Sequence, residues 1–139
     1  SLGVNCVDDE LTFLNSTENL IYSGSDDYKS AFARKYLGYT RNKGLDFLAK
    51  FHGKYILGEA KFLSDFGGSQ NSDFEDAELT LRAELTPTDK EVIKIAIIDG
   101  VIYIDKCAGQ KMARKMRNDF NDNEVILSAV LLRNFLYYL

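Results

Sequence analysis

The sequence predicts a mixed α/β (α+β) domain built on a central sheet, and three features carry that expectation. Segments with apolar residues at helical spacing alternate with short aliphatic and aromatic runs. One run, Val92 to Ile98, is nearly all apolar, as a strand covered on both faces must be. Two further strand-like runs are joined by His52-Gly53, a two-residue hairpin signal. With 139 residues, 45% of them hydrophobic and 27% charged, and a single Pro, the chain is suited to one domain over residues 1–139 and unlike a disordered or collagen-like one.

Taken in order, the first expected helix is Asp27 to Leu37, with Ser25 or Asp26 as N-cap and Gly38 as its stop. Tyr28, Ala31, Phe32 and Tyr36 are its apolar positions, and Arg34 and Lys35 suit the dipole of its last turn. Leu45 to Phe51 and Tyr55 to Phe62 form the hairpin around His52-Gly53, where both turn residues need or tolerate positive φ. Ser64 to Ser72, with Gly67-Gly68, reads as a loop. Ser72-x-x-Glu75 then reads as a capping box opening a helix to about Glu84, with Phe74, Ala77, Leu81 and Leu85 as its stripe and Pro87 closing the connection. After the strand at Val92 to Ile98, Asp99-Gly100 predicts a turn into a strand over Val101 to Asp105. Helices over Gln110 to Asn118 and Glu124 to Leu139 complete the expectation.

The net charge of −4 argues against nonspecific coating of nucleic acid while leaving room for local basic surfaces. Arg34, Lys35, Arg41 and Lys43 form one stretch without acids, and Lys106, Lys111, Arg114, Lys115 and Arg117 lie in another. Cys6 and Cys107 make neither a metal spacing nor a disulfide framework, and nothing resembles a signal peptide. Reduced thiols in a cytoplasmic protein fit that usage. The longest apolar stretch, Val125 to Leu139, is broken by Ser128, Arg133 and Asn134 and is too short to cross a bilayer. The chain begins at Ser1, as a processed product or a fragment of a longer chain does.

The chemistry comes from the register of the first hairpin. A two-residue turn at His52-Gly53 pairs residues so that Asp46 faces Glu59. Directly opposed residues project to one side with Cβ atoms roughly 4.5 to 5.5 Å apart, and period-two alternation adds Lys61 to that side. Leu48 and Leu57 share it, so the charges sit beside apolar neighbours; Leu45, Phe47, Ala49 and Phe51 are expected on the other side with Ile56, Gly58, Ala60 and Phe62. Two like charges opposed across a ladder destabilise the metal-free fold by roughly 0.2 to 1 kcal/mol. A divalent cation reverses that sign. Mg²⁺ takes one or two carboxylates plus waters and phosphate oxygens, and Asp46 and Glu59, with the Ala60 carbonyl, can supply the protein's share. Lys61 can orient or help deprotonate an attacking water and offset transition-state charge.

Asp46, twelve intervening residues, then Glu59-Ala60-Lys61 at the end of an apolar strand resembles the PD-(D/E)XK nuclease signature, with Gly44-Leu45 where the motif's Pro would lie. The stretch from Lys43 to Gln70 resembles type II restriction endonucleases in particular. The resemblance implies a restriction-endonuclease-like fold, Mg²⁺-dependent hydrolysis of double-stranded DNA with Mn²⁺ as a substitute, and Asp46, Glu59 and Lys61 as the catalytic set. The helix acid that some members add is Glu18, Asp26 or Asp27.

Arg41, Lys43 and the polar Ser69, Gln70 and Asn71 are candidate DNA contacts, the amides being suited to adenine edges. A plain loop leading to a helix cap is the competing reading of the last three. His52 is a turn residue, and a lone histidine makes no zinc site. Apolar residues on several faces of the last segment imply either a buried helix or a homodimer contact suited to cutting both strands. Two rival readings are a structure-specific repair or junction nuclease on the same core, and a noncatalytic DNA-binding module.

Overall fold

A computed structural model of the chain describes residues 2–64, 68–100 and 121–139. Its elements run β1 (Asn5–Val7), α1 (Glu10–Asn15), β2 (Leu20–Tyr22), α2 (Asp26–Tyr36), β3 (Phe47–Phe51), β4 (Lys54–Leu63), α3 (Gly68–Leu81), β5 (Val92–Gly100), β6 (Glu124–Leu127) and α4 (Ala129–Tyr137). The strands form one sheet in the order β1-β2-β3-β4-β5-β6. β3 is antiparallel to both β2 and β4, whereas β1 with β2, β4 with β5 and β5 with β6 are parallel. The expected mixed sheet flanked by helices is therefore what the chain forms.

The hairpin register is the one the turn dictates. Phe47 pairs Gly58, Leu48 pairs Leu57, and Phe51 pairs Lys54. His52 and Gly53 have φ of 52° and 78°, so the turn has the positive φ values that match the twist of the flanking strands.

Side-chain alternation divides the sheet into two faces. Leu48, Tyr55 and Leu57 pack beneath Phe13 of α1 and Phe32, Ala33 and Leu37 of α2 and its end. Further along the same face, Leu63, Ala96 and Ile98 meet Phe74, Ala77 and Leu81 of α3. On the opposite face Ala49, Phe51, Ile56, Ile93, Ile95 and Ile97 are covered by Leu132, Phe135 and Leu136 of α4. Leu45 joins the α1 and α2 cluster rather than the Phe47 side expected from alternation, because it precedes β3 and its N–H bonds the Asp26 carbonyl at the start of α2.

The structure corrects the sequence reading at several further points. β1, α1 and β2 were not anticipated; each strand has only three residues, too few to show alternation, and α1 is one capped turn and a half, with Asp9 accepting from the Thr12 N–H at 2.9 Å. α2 buries Phe32 and Ala33, while Tyr28 is exposed. α3 begins at Gly68, so Ser72 lies inside a helix, the Ser72-x-x-Glu75 box caps nothing, and residues 69–71 are helical rather than loop. Asp99 and Gly100 do not turn. They continue β5, paired with Phe62 and Leu63 of a longer parallel ladder. The segment 124–139 is not one helix: Glu124–Leu127 is a strand beside β5, and Ser128 caps α4 by accepting from the Val130 N–H. Asp99 reinforces that break by accepting from Ser128 Oγ at 2.5 Å and the Ala129 N–H at 3.0 Å. The expected strand over Val101 to Asp105, the helix over Gln110 to Asn118 and the second basic stretch lie outside the described residues.

Candidate active site

Asp46 lies one residue before β3, and its N–H bonds at 3.1 Å the carbonyl of Gly58, the residue already paired with Phe47, so the regular ladder ends here. The next rung on β4 is then free of a backbone partner, and the Asp46 carboxylate fills that place, Oδ2 accepting from the Ala60 N–H at 2.9 Å. Because a strand residue's N–H and carbonyl point to the same neighbour, the Ala60 carbonyl is directed to this open edge as well. The Glu59 and Asp46 side chains lie close enough to share a hydrogen bond when one of them is protonated. The pair is asymmetric: Asp46 is exposed, whereas Glu59 is only 2% exposed. Of Glu18, Asp26 and Asp27, it is Asp26, in the first turn of α2, that lies beside Asp46, with the Leu45 N–H bonded to the Asp26 carbonyl. Lys29 ties the two segments together, donating to the Asp46 carbonyl at 3.0 Å and pairing with Asp26.

α3 closes the site from the other side. Asp76 receives Lys43 and, at 3.3 Å, Lys61, with the Arg41 guanidinium 3.8 Å away. Lys43 also lies 3.5 Å from Glu59 Oε1. One turn beyond Asp76, buried Thr80 accepts from Arg41 at 2.5 Å and donates to Glu59 Oε1 at 3.4 Å. Asp46, Glu59, Lys61, Ala60, Arg41 and Lys43 are thus gathered at one end of β4. The backbone of Ser69, Gln70 and Asn71 belongs to the first turn of α3.

Over residues 6–139 the chain matches the model of the Tsp45I type II restriction enzyme family. The chain belongs to that family. No curated protein and no solved structure matches it. No helix among the described residues is long and apolar enough to cross a membrane.

The electrostatics follow from the asymmetry. Burial opposes ionisation of Asp46, but the Ala60 N–H, the Glu59 hydrogen bond and the Lys61 charge outweigh it and hold its pKa below the usual value. Glu59 goes the other way: burial, then the hydrogen bond and charge of Asp46, push its pKa up to about 7 despite Lys43 and Lys61. The repulsion expected between two carboxylates is therefore relieved in the metal-free protein by a proton on Glu59. For Lys61 burial favours the neutral form, yet its bond to Asp76 and the surrounding carboxylates raise its pKa, so it stands in the site as a cation.

In the metal-free protein the Glu59 proton is bound more tightly folded than unfolded. The resulting stabilisation is fully present below the ordinary value of 4.5 and is lost as pH rises through about 7. In chelator, Glu59→Gln is expected to melt above wild type at about pH 8, by an equivalent of about 1 to 3 kcal/mol, and to lose that advantage near the unfolded pKa. Thermal melts at the two pH values check this. An offset that does not change with pH would show that Glu59 is not the titrating group.

Asp76 and Thr80 escaped the sequence reading. Their only signal was an i, i+4 spacing beside the Phe74, Ala77, Leu81 stripe, and the loop assigned to residues 64–72 detached them from the hairpin.

Proposed function

We propose that the chain is a Mg²⁺-dependent type II restriction endonuclease that hydrolyses phosphodiester bonds of double-stranded DNA, with Asp46, Glu59 and Lys61 as its catalytic residues. The observation that supports this most is the meeting, at one open strand end, of an ionised exposed carboxylate with a buried one that retains a proton up to about pH 7. A site that holds a proton there lacks positive charge, which is what a cation supplies.

The donors fit that cation. Asp46, Glu59 and the Ala60 carbonyl are hard oxygen ligands, and Mg²⁺ and Mn²⁺ readily complete such a partial set with water and phosphate oxygens. Among the described residues no cluster of three or more Asp, Glu, His or Cys side chains forms a metal-holding group, so the phosphate is part of the set on this reading. When bound, the ion supplies Lewis acidity and a water more easily deprotonated than in bulk.

The chain's own residues do the rest. The Ala60 N–H fixes the orientation of Asp46, and Thr80 with Lys43 fixes that of Glu59. Glu59 must give up its proton to act as a ligand, so cation affinity is expected to climb through about pH 7. Lys61, kept charged, offsets the negative charge that builds on the phosphoryl oxygens as water attacks phosphorus. On this reading Arg41 and Lys43 bind the backbone of DNA, and Ser69, Gln70 and Asn71, whose backbone is in the first turn of α3, are its further contacts. A homodimer belongs to the same proposal, supported by Val130 and Leu131 of α4 and Tyr138 at its C-cap, all of them exposed.

Incubation of supercoiled plasmid with Mg²⁺ tests the proposal. Discrete linear products that vanish in chelator are expected. Cutting confined to branched DNA would favour a junction or repair nuclease, and binding without cutting a noncatalytic module.

A further inference from the structure

The cations of the site carry more than the catalytic reading asks of them. Arg41, Lys43 and Lys61 reach one point from two directions, the first two from the segment after α2 and the third from β4, and at that point stands a single carboxylate, Asp76. Lys43 and Lys61 share its Oδ2, while Arg41 NH2 stays 3.8 Å from Oδ1, an ion pair without a hydrogen bond. A two-oxygen carboxylate on a short stem thus leaves part of the cluster's donor capacity unused. The two anionic oxygens of a phosphodiester are set farther apart by the tetrahedral phosphorus, and an Arg fork suits them.

The cations do not depend on Asp76 for their placement. Arg41 is anchored by Thr80, Lys43 by Glu59, and the backbone of Lys61 lies in the parallel ladder opposite Ile98. Asp76, by contrast, is one-third exposed at its side chain and comes from a separate element, α3. We propose that Arg41, Lys43 and Lys61 form a binding site for a backbone phosphate of DNA, and that Asp76 fills this site in the free protein and is displaced when DNA binds. Asp76 thereby acts as an internal competitor that weakens contact with any phosphate backbone. This rests on the reading of the chain as a DNA-cleaving enzyme.

The test is equilibrium binding of a short fluorescein-labelled duplex of mixed sequence, followed by anisotropy in chelator. Asp76→Asn is expected to bind about fivefold more tightly than wild type, the factor for one unit charge at contact distance in a solvated site. Asp76→Glu keeps the competitor and is expected to bind like wild type. Asp73→Asn, which removes another nearby negative charge on α3, is expected to gain less, because Asp73 acts on Lys61 through space without filling the cluster. In a Lys43→Gln, Lys61→Gln background the gain from Asp76→Asn is expected to disappear. Should Asp76→Asn fail to fold by circular dichroism, Asp76→Ser carries the same expectation.

No gain, an equal gain from Asp73→Asn, or a gain that persists without the two lysines overturns the displacement while leaving the nuclease reading intact. A wild type that neither binds the duplex nor cuts plasmid with Mg²⁺ overturns both.

Discussion

Asp46→Asn is expected to reduce Mg²⁺-dependent strand cleavage by about a thousandfold or more while leaving the fold intact. Asparagine is nearly the same shape, and its amide oxygen can still accept from the Ala60 N–H, now at 2.9 Å from Asp46 Oδ2, so the open end of the β3–β4 ladder stays ordered. What disappears is the negative charge that stays ionised at every working pH, because Asp46, and not Glu59, is the carboxylate whose ionised form the site favours. Glu59→Gln is expected to be equally inactive for a different reason: it keeps the neutral state that the metal-free protein already adopts and cannot leave it. Lys61→Ala is expected to lose activity without losing cation binding. Plasmid cleavage, circular dichroism and melts with and without Mg²⁺ separate these cases. Substantial residual cleavage by Asp46→Asn or Glu59→Gln would overturn the site assignment.

The largest stability effect is expected away from the chemistry, at Lys94. Its ammonium is buried between β5 and β6, 3.3 Å from Glu124 Oε2 and 2.7 Å from the Ala83 carbonyl, and both side chains are at most 7% exposed as residues. Lys94→Met removes one charge and strands the other in a medium that solvates it poorly, which costs about 3 to 5 kcal/mol. For a domain of this size that corresponds to a fall in Tm of about 10 °C or more. Adding Glu124→Gln, which can still accept from the Asn121 N–H, is expected to recover a large part of the loss because no uncompensated charge remains. Denaturant unfolding of the single and double variants measures the difference. A Lys94→Met protein as stable as wild type would mean that Glu124 is solvated, in conflict with its burial.

How far the sequence could be read depended on the range of the signal. The hairpin is local: His52-Gly53 sets the turn, and the turn sets the register as far as the Phe47–Gly58 pair. Asp46, expected opposite Glu59, lies just beyond that ladder, with its N–H on the Gly58 carbonyl and its carboxylate on the Ala60 N–H. The helix after Ser25 was legible for a similar reason, since cap, apolar spacing and Gly38 stop all lie within fourteen residues. The readings that failed were those where a neighbour distant in sequence decides. Asp99-Gly100 has the composition of a turn, yet the ladder with Phe62 and Leu63 and the bonds from Asp99 to Ser128 and Ala129 keep it in the strand. Glu124–Leu127 has apolar residues that suit either period, and pairing with β5, together with the Lys94 contact, makes it a strand.

A sheet-centred α/β chain, and the nearness of Asp46, Glu59 and Lys61 to one another, could be read from the residues because turn geometry and side-chain alternation act over a few positions. Packing between elements far apart in the chain settled that α3 starts early enough to carry Asp76 and Thr80 to the same place, that Asp26 lies beside Asp46, and that Glu59 is buried while Asp46 is not. Those outcomes depend on which face each helix covers and on the dielectric that results. Burial and through-space charge, which set the proton on Glu59 and the pairing of Lys61, are properties of the packed sheet and helices that no local pattern encodes.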